Sequence, residues 1–237
     1  MATPTPLVVS ELSKSFTMHL QGGIRLGVVK DVAFSVRAGE CAVLGGPSGA
    51  GKSSILKMVY GNYCADQGQI IVSHRGKLID LVTADPRTIM AVRQETIGYV
   101  SQFLRVVPRI SALDVVAEPL VETGAALEVA RARAAELLSR LNLPERLWGL
   151  PPATFSGGEQ QRVNVARGFI TAHPVLLLDE PTASLDRTNG RVVIDMILEK
   201  KQGGTALLGI FHDQEVREAV ADTVIDVTAF APEKAAA

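Results

Sequence analysis

The segment Gly46-Pro47-Ser48-Gly49-Ala50-Gly51-Lys52-Ser53 constrains this chain more than any other. It follows a short apolar run, Cys41 to Leu44, and precedes a helical pattern from Ser53 to Tyr60. A strand that passes through glycines into a helix opening on Lys-Ser is the context of a phosphate-binding loop. The glycines let backbone N–H groups turn inward and approach an anion closely. The helix aims its N-terminal dipole at the same point. These residue types predict that Lys52 reaches the outer phosphates of ATP and that the Ser53 hydroxyl ligates Mg²⁺. The predicted phosphate-binding set is Gly46, Ser48, Gly49, Ala50, Gly51, Lys52, Ser53 and Ser54.

A second aliphatic run, Val175 to Leu178, ends in Asp179-Glu180. Alone, such a run reads as a buried strand emerging into solvent. Beside a phosphate loop, a carboxylate-bearing strand end is what positions a divalent cation. Asp179 is expected to hold Mg²⁺ through water, and Glu180 to orient and deprotonate an attacking water.

The chain has 237 residues, of which 47% are hydrophobic and only 5% aromatic, so one large α/β domain with an aliphatic core is expected. A formal net charge of -1 argues against general nucleic-acid binding, which needs a basic excess. The two cysteines, Cys41 and Cys64, form no CxxC pair and read as reduced thiols. Neither a signal peptide nor an apolar run long enough to span a membrane is visible. A cytoplasmic location, with no direct membrane insertion, is the expectation.

Along the chain, strands are predicted at Leu7–Leu12, Val28–Val36, Ile97–Val100, Ala206–Phe211 and Val224–Val227, with a turn at Gly22-Gly23. Ile70–Ser73 and Leu78–Leu81 read as a small hairpin. Ser111 to Leu143 is rich in Ala, Leu, Glu and Arg at helical spacing, with Ser111 as a helix start. A helical insert, placed at about residues 103–172, then interrupts the strand-rich α/β core. Residues from about Thr228 onward are expected to be loose.

The stretch Phe155-Ser156-Gly157-Gly158-Glu159-Gln160-Gln161-Arg162 resembles the LSGGQ signature of the ABC ATPase superfamily, with Phe155 for Leu and Glu159 for Gln. The resemblance implies a P-loop NTPase core of ABC ATPase type, with an antiparallel β subdomain and an inserted helical subdomain. Ser156, Gly157 and Gly158 open a helix and form another anion site. In the family this site grips the γ-phosphate bound by a second ABC subunit, either an identical chain or a sister. The resemblance also implies Gln102 as the glutamine that senses Mg²⁺ and the attacking water. It makes Asp186 part of the loop that crosses the dimer interface and His212 the switch histidine at the γ-phosphate. Phe16 falls where the family stacks an aromatic ring on adenine, with ordinary core packing as the alternative.

Ser101 to Leu113, Leu143 to Trp148, Phe155 to Asn164 and Gly209 to Asp213 are similar to the L-subunit family of the bacterial phosphonate carbon–phosphorus lyase system. That resemblance implies partnership with the carbon–phosphorus lyase core complex, in coupling methylphosphonate to the ribose of a purine nucleotide. The competing reading is the ATPase of a lipoprotein-release or macrolide-type ABC transporter, which shares the Gln-Phe and Leu-Pro texture after Gln102. In transporters that stretch docks a helix of the membrane subunit. Here it carries Arg105 and Arg109 among apolar residues, as a protein-docking surface would.

Overall fold

The computed structural model describes residues 5–18, 23–105 and 108–232. An antiparallel sheet is built from β1 (Leu7–Met18), β2 (Ile24–Val36), β4 (Gln67–His74) and β5 (Lys77–Asp80), in the order β2-β1-β4-β5. A parallel sheet holds β3 (Cys41–Gly45), β6 (Ile97–Val100), β7 (Val175–Asp179), β8 (Ala206–Ile210) and β9 (Thr223–Asp226), in the order β6-β7-β8-β3-β9.

The central strands β3, β7 and β8 are buried throughout, which is why they read as unbroken apolar runs. Alternation across the pleat divides their side chains between two cores. Leu177, Leu208 and Leu44 pack with Leu7, Leu12, Ile55 and Leu56 beneath the antiparallel sheet. Leu176, Leu178 and Leu207 face the other way, against Leu138, Leu141, Val163 and Ile197. Each fully buried leucine contributes about 2 kcal/mol.

The helices are α1 (Lys52–Val59), α2 (Pro86–Glu95), α3 (Ala112–Glu122), α4 (Leu127–Arg140), α5 (Gly157–Phe169), α6 (Arg187–Gln202) and α7 (Gln214–Val220). Of these, α3, α4 and α5 lie between β6 and β7 in the chain. The helical stretch from Ser111 to Leu143 is two helices, because Gly124 turns the backbone to φ +97° between them. Ser111 caps α3 as expected, its hydroxyl accepting from the Asp114 N–H.

The antiparallel strands run longer than their apolar cores. Gly23 is in the left-handed region (φ +78°), and its N–H donates to Met18 O at 3.1 Å; Gly22, the other residue of the expected turn, lies outside the described residues. The described part of the segment expected to be loose, from Thr228 to Pro232, departs from that expectation. Val227–Phe230 forms a 3₁₀ turn with Val227 fully buried and Phe230 packed on the core below the antiparallel sheet. Pro232 lies against Gly27.

Candidate active site

The phosphate loop bridges β3 and α1. Gly46, Gly49 and Gly51 hold φ of +126°, +82° and +100°, which side chains rarely adopt. At Gly51 a Cβ would also stand 2.7 Å from Val29 Cγ1, so both conformation and space demand glycine. Lys52 is buried, and its ammonium donates to Gly46 O at 2.7 Å and Pro47 O at 2.8 Å. Val28, Ser48, Gly49, Gly51, Lys52, Ser53, Ser54, Glu180 and His212 line one cleft of about 230 Å³. Gly46 and Ala50 shape the loop from outside that lining. The Ala50 N–H closes a turn onto Pro47 O at 3.3 Å.

Asp179 lies beneath the cleft at 2% exposure. Its Oδ1 accepts from the Ser53 hydroxyl at 3.3 Å and its Oδ2 from the Tyr99 hydroxyl at 3.0 Å. Burial raises its carboxyl above the ordinary range, while the Tyr99 and Ser53 hydrogen bonds oppose the rise. The Ser53 hydroxyl, the Asp179 carboxylate and the Gln102 amide oxygen are hard oxygen donors, the type Mg²⁺ requires. A divalent cation would compensate the otherwise costly buried charge, so the donor set fits the ion.

Glu180 sits one residue beyond β7, at φ +53°. A non-glycine residue held there stores about 1–3 kcal/mol of strain. Its carboxylate accepts from Gln102 Nε2 at 3.3 Å and lies 2.8 Å from His212 Nε2. Glu180 and Gln102, expected to act on water, and His212, expected at the γ-phosphate, therefore meet at one carboxylate.

Ser156, Gly157, Gly158, Asp186 and Phe16 do not line that cleft. Ser156 caps α5, and the Glu159 carboxylate accepts from both its N–H and its hydroxyl, forming a capping box. Nothing would obstruct a Cβ at Gly157, whereas one at Gly158 would stand 2.9 Å from Ser184 O. Asp186 caps α6 by accepting from the Asn189 N–H at 2.8 Å. Phe16 is half-exposed on β1, its ring edge-on to Tyr63 with centroids 5.4 Å apart.

Three further side chains support the site. Tyr99 sits beside Asp179, Gln161 donates to Pro181 O at 2.9 Å, and Asn164 donates to Ser101 O. Only a polar residue on the inward face of an amphipathic helix could have flagged Gln161 and Asn164.

The family model described as ABC transporter matches residues 29–183. The chain belongs to the ABC transporter ATPase family. It is 35% identical to the lipoprotein-releasing system ATP-binding protein LolD of Idiomarina loihiensis, over 91% of this chain and 92% of that one. LolD of Novosphingobium aromaticivorans is 38% identical over 87% and 89%. The macrolide export ATP-binding/permease protein MacB of Sodalis glossinidius is 32% identical over 96% of this chain but only 36% of its own length. The dimeric post-hydrolysis structure of the ATP-binding cassette MJ0796 with ADP and Pi superimposes with a TM-score of 0.83 at 26% identity, covering 94% of this chain and 95% of that one.

This ABC ATPase binds and hydrolyses ATP. The expected tie to phosphonate metabolism and the carbon–phosphorus lyase core is corrected by the same comparisons, in which the relatives matched along the chain are lipoprotein-release and macrolide-export proteins. The segments that suggested it include the Gln102-Phe103 and Leu143-Pro144 texture common to both readings, and segments so short do not discriminate between partners. Among the described residues, no helix is long and apolar enough to cross a membrane.

Proposed function

We propose that this chain is the ATP-hydrolysing subunit of an export-type ABC transporter of the lipoprotein-release or macrolide-export kind, working as a nucleotide-sandwich dimer on the cytoplasmic face of a membrane. The observation that carries the hydrolytic part is the Glu180 carboxylate, held by Gln102 and His212 at the mouth of the phosphate cleft.

Lys52 and the loop N–H groups hold the phosphates of ATP. Arrival of the phosphates draws the Lys52 ammonium from the Gly46 and Pro47 carbonyls that it now contacts. Glu180 takes the proton from the attacking water, Gln102 fixes the carboxylate for that step, and His212 leaves the carboxylate and turns its imidazole to the γ-phosphate. Ser53, Asp179 and Gln102 would hold Mg²⁺, which would supply neutralising charge to the phosphates. Phe16 stacks on adenine.

Two observations support the dimer. Ser156 and Gly157 are exposed and Gly158 partly so at a helix N-terminus outside the chain's own cleft, and a second subunit's γ-phosphate is the anion that suits it. The MJ0796 cassette, similar over nearly its whole length, is dimeric. Asp186 lies at the crossing between subunits. The membrane partner is assigned to the segment after Gln102, where Phe103 is 71% exposed and Arg105 and Arg109 are exposed charges. Val106 and Val107, in the same segment, lie outside the described residues.

The test is purification of the native complex with Glu180→Gln under ATP, followed by identification of the bound proteins. A multi-span permease co-purifying with an ATP-trapped dimer is the expected result. A complex with no membrane subunit overturns the transporter assignment.

A further inference from the structure

The helix that begins at the signature is hydrogen-bonded to both parts of the chain's own hydrolytic machinery. We propose that α5 links the two nucleotide sites of the dimer, with Gln161 and Asn164 as positioning residues that lock the Glu180–Pro181 and Ser101–Gln102 backbones to it. This rests on the dimeric ATPase reading above and goes beyond it, because it assigns a route between the sites.

Three positions along α5 make the link. At Gly158, the second residue of the helix, the approach is so close that a Cβ would stand 2.9 Å from Ser184 O. Gln161, buried at 5% exposure, donates through Nε2 to Pro181 O at 2.9 Å and to Glu180 O at 3.4 Å. Asn164, also buried at 5%, donates to Ser101 O, the carbonyl preceding Gln102. The spacing of three places both amides on one helix face. Further along, Gly168 would bring a Cβ to 2.3 Å from Val100 Cγ2, so the helix lies flat on β6.

The strained Glu180 peptide is thereby held from two sides. Its N–H donates to Ile210 O at 3.0 Å, and its carbonyl faces Gln161. An anion engaging Ser156 to Gly158 pulls on the end of a rod whose buried amides grip both Glu180 and the Gln102 backbone. Buried amides tolerate little displacement, because an unpaired polar group in the interior is costly. A shift of the helix is therefore passed to the carbonyls they hold.

The test uses the full chain carrying Gln161→Ala or Asn164→Ala, each alone and combined with Glu180→Gln. Turnover, nucleotide affinity, ATP-driven dimerisation and thermal midpoint are measured. The expected result is a kcat lower by about tenfold or more with KM for ATP unchanged. The ATP-trapped dimer still forms in the Glu180→Gln background. Asn164→Ser, shorter but still a donor, restores part of kcat. Unchanged kcat in both alanine variants overturns the proposal. So does a loss that tracks thermal midpoint and nucleotide affinity and is not eased by serine. Should the unmodified chain not hydrolyse ATP, or Glu180→Gln alone not dimerise, the ATPase-dimer reading itself fails.

Discussion

His212 Nε2 and Glu180 Oε1 lie 2.8 Å apart, across the C-terminal ends of the neighbouring parallel strands β8 and β7. The pairing puts a titratable ring on a carboxylate whose other oxygen accepts from Gln102. Ligands of open parallel sheets bind at the carboxyl ends of the strands, and here that edge also carries the phosphate loop from β3.

Glu180→Gln retains the shape of the side chain and removes the proton acceptor. ATP binding is expected to persist, hydrolysis to slow by about 10²-fold or more, and a closed dimer to accumulate under ATP. Single-turnover kinetics with size-exclusion chromatography check this, and a variant with the normal rate removes Glu180 from the role of base.

Lys52→Ala acts one step earlier. The ammonium is the one lysine lining the cleft, so its removal weakens nucleotide binding itself, by about tenfold or more. Titration with a fluorescent ATP analogue reads the loss directly. Equal affinity in variant and parent contradicts the phosphate-loop assignment.

Ser156→Ala separates the two faces of the dimer. The hydroxyl lies outside the cleft that contains Lys52, so ATP affinity of the isolated chain should be unchanged while turnover by the dimer falls. Weakened binding by the monomer would place Ser156 in the wrong site.

Much of this arrangement was legible in the sequence because it is local. The loop from Gly46 to Ser53, the apolar runs of β3, β7 and β8, and the Ser111 cap follow from adjacent residues and their periodicity. What escaped depends on residues far apart in the chain. Gln161 and Pro181 are 20 residues apart, and Asn164 and Ser101 are 63 apart. No local pattern reports such contacts. The segment from Thr228 has no strong local pattern, yet Phe230 is partly buried against the core, a placement set by tertiary packing. Helices α2 and α6 carry recognisable local starts at Asp85-Pro86 and Asp186. The proposed transport role is the least legible, since it depends on what docks outside the chain.

The thiols should behave as opposites. Cys41 lies fully buried in β3, and burial pushes its thiol up to about 12, whereas Cys64 is exposed. Because the thiolate is the reactive form, a thiol reagent near neutral pH should modify one cysteine in the native chain and two after unfolding. Two fast-reacting thiols in the native chain would contradict the burial of β3.

Asp66 gives the acid side of stability a specific origin. Its carboxylate accepts from the Ser15 hydroxyl at 2.6 Å, the Ser15 N–H at 2.9 Å and the Lys14 ammonium at 3.0 Å, tying β1 to the segment before β4. The Ser15 hydrogen bond, with Lys14 beside it, holds the carboxyl well below the usual range. A depressed folded value favours the native state above the unfolded pKa, and that contribution is lost as the pH falls below ~4. Asp66→Asn should therefore lower the thermal midpoint near neutrality and show a smaller further loss in acid than the parent. Parallel acid curves for the two proteins would mean that other carboxylates carry the effect. The parent should steepen more than the variant in acid, because it has one more proton of this kind to gain.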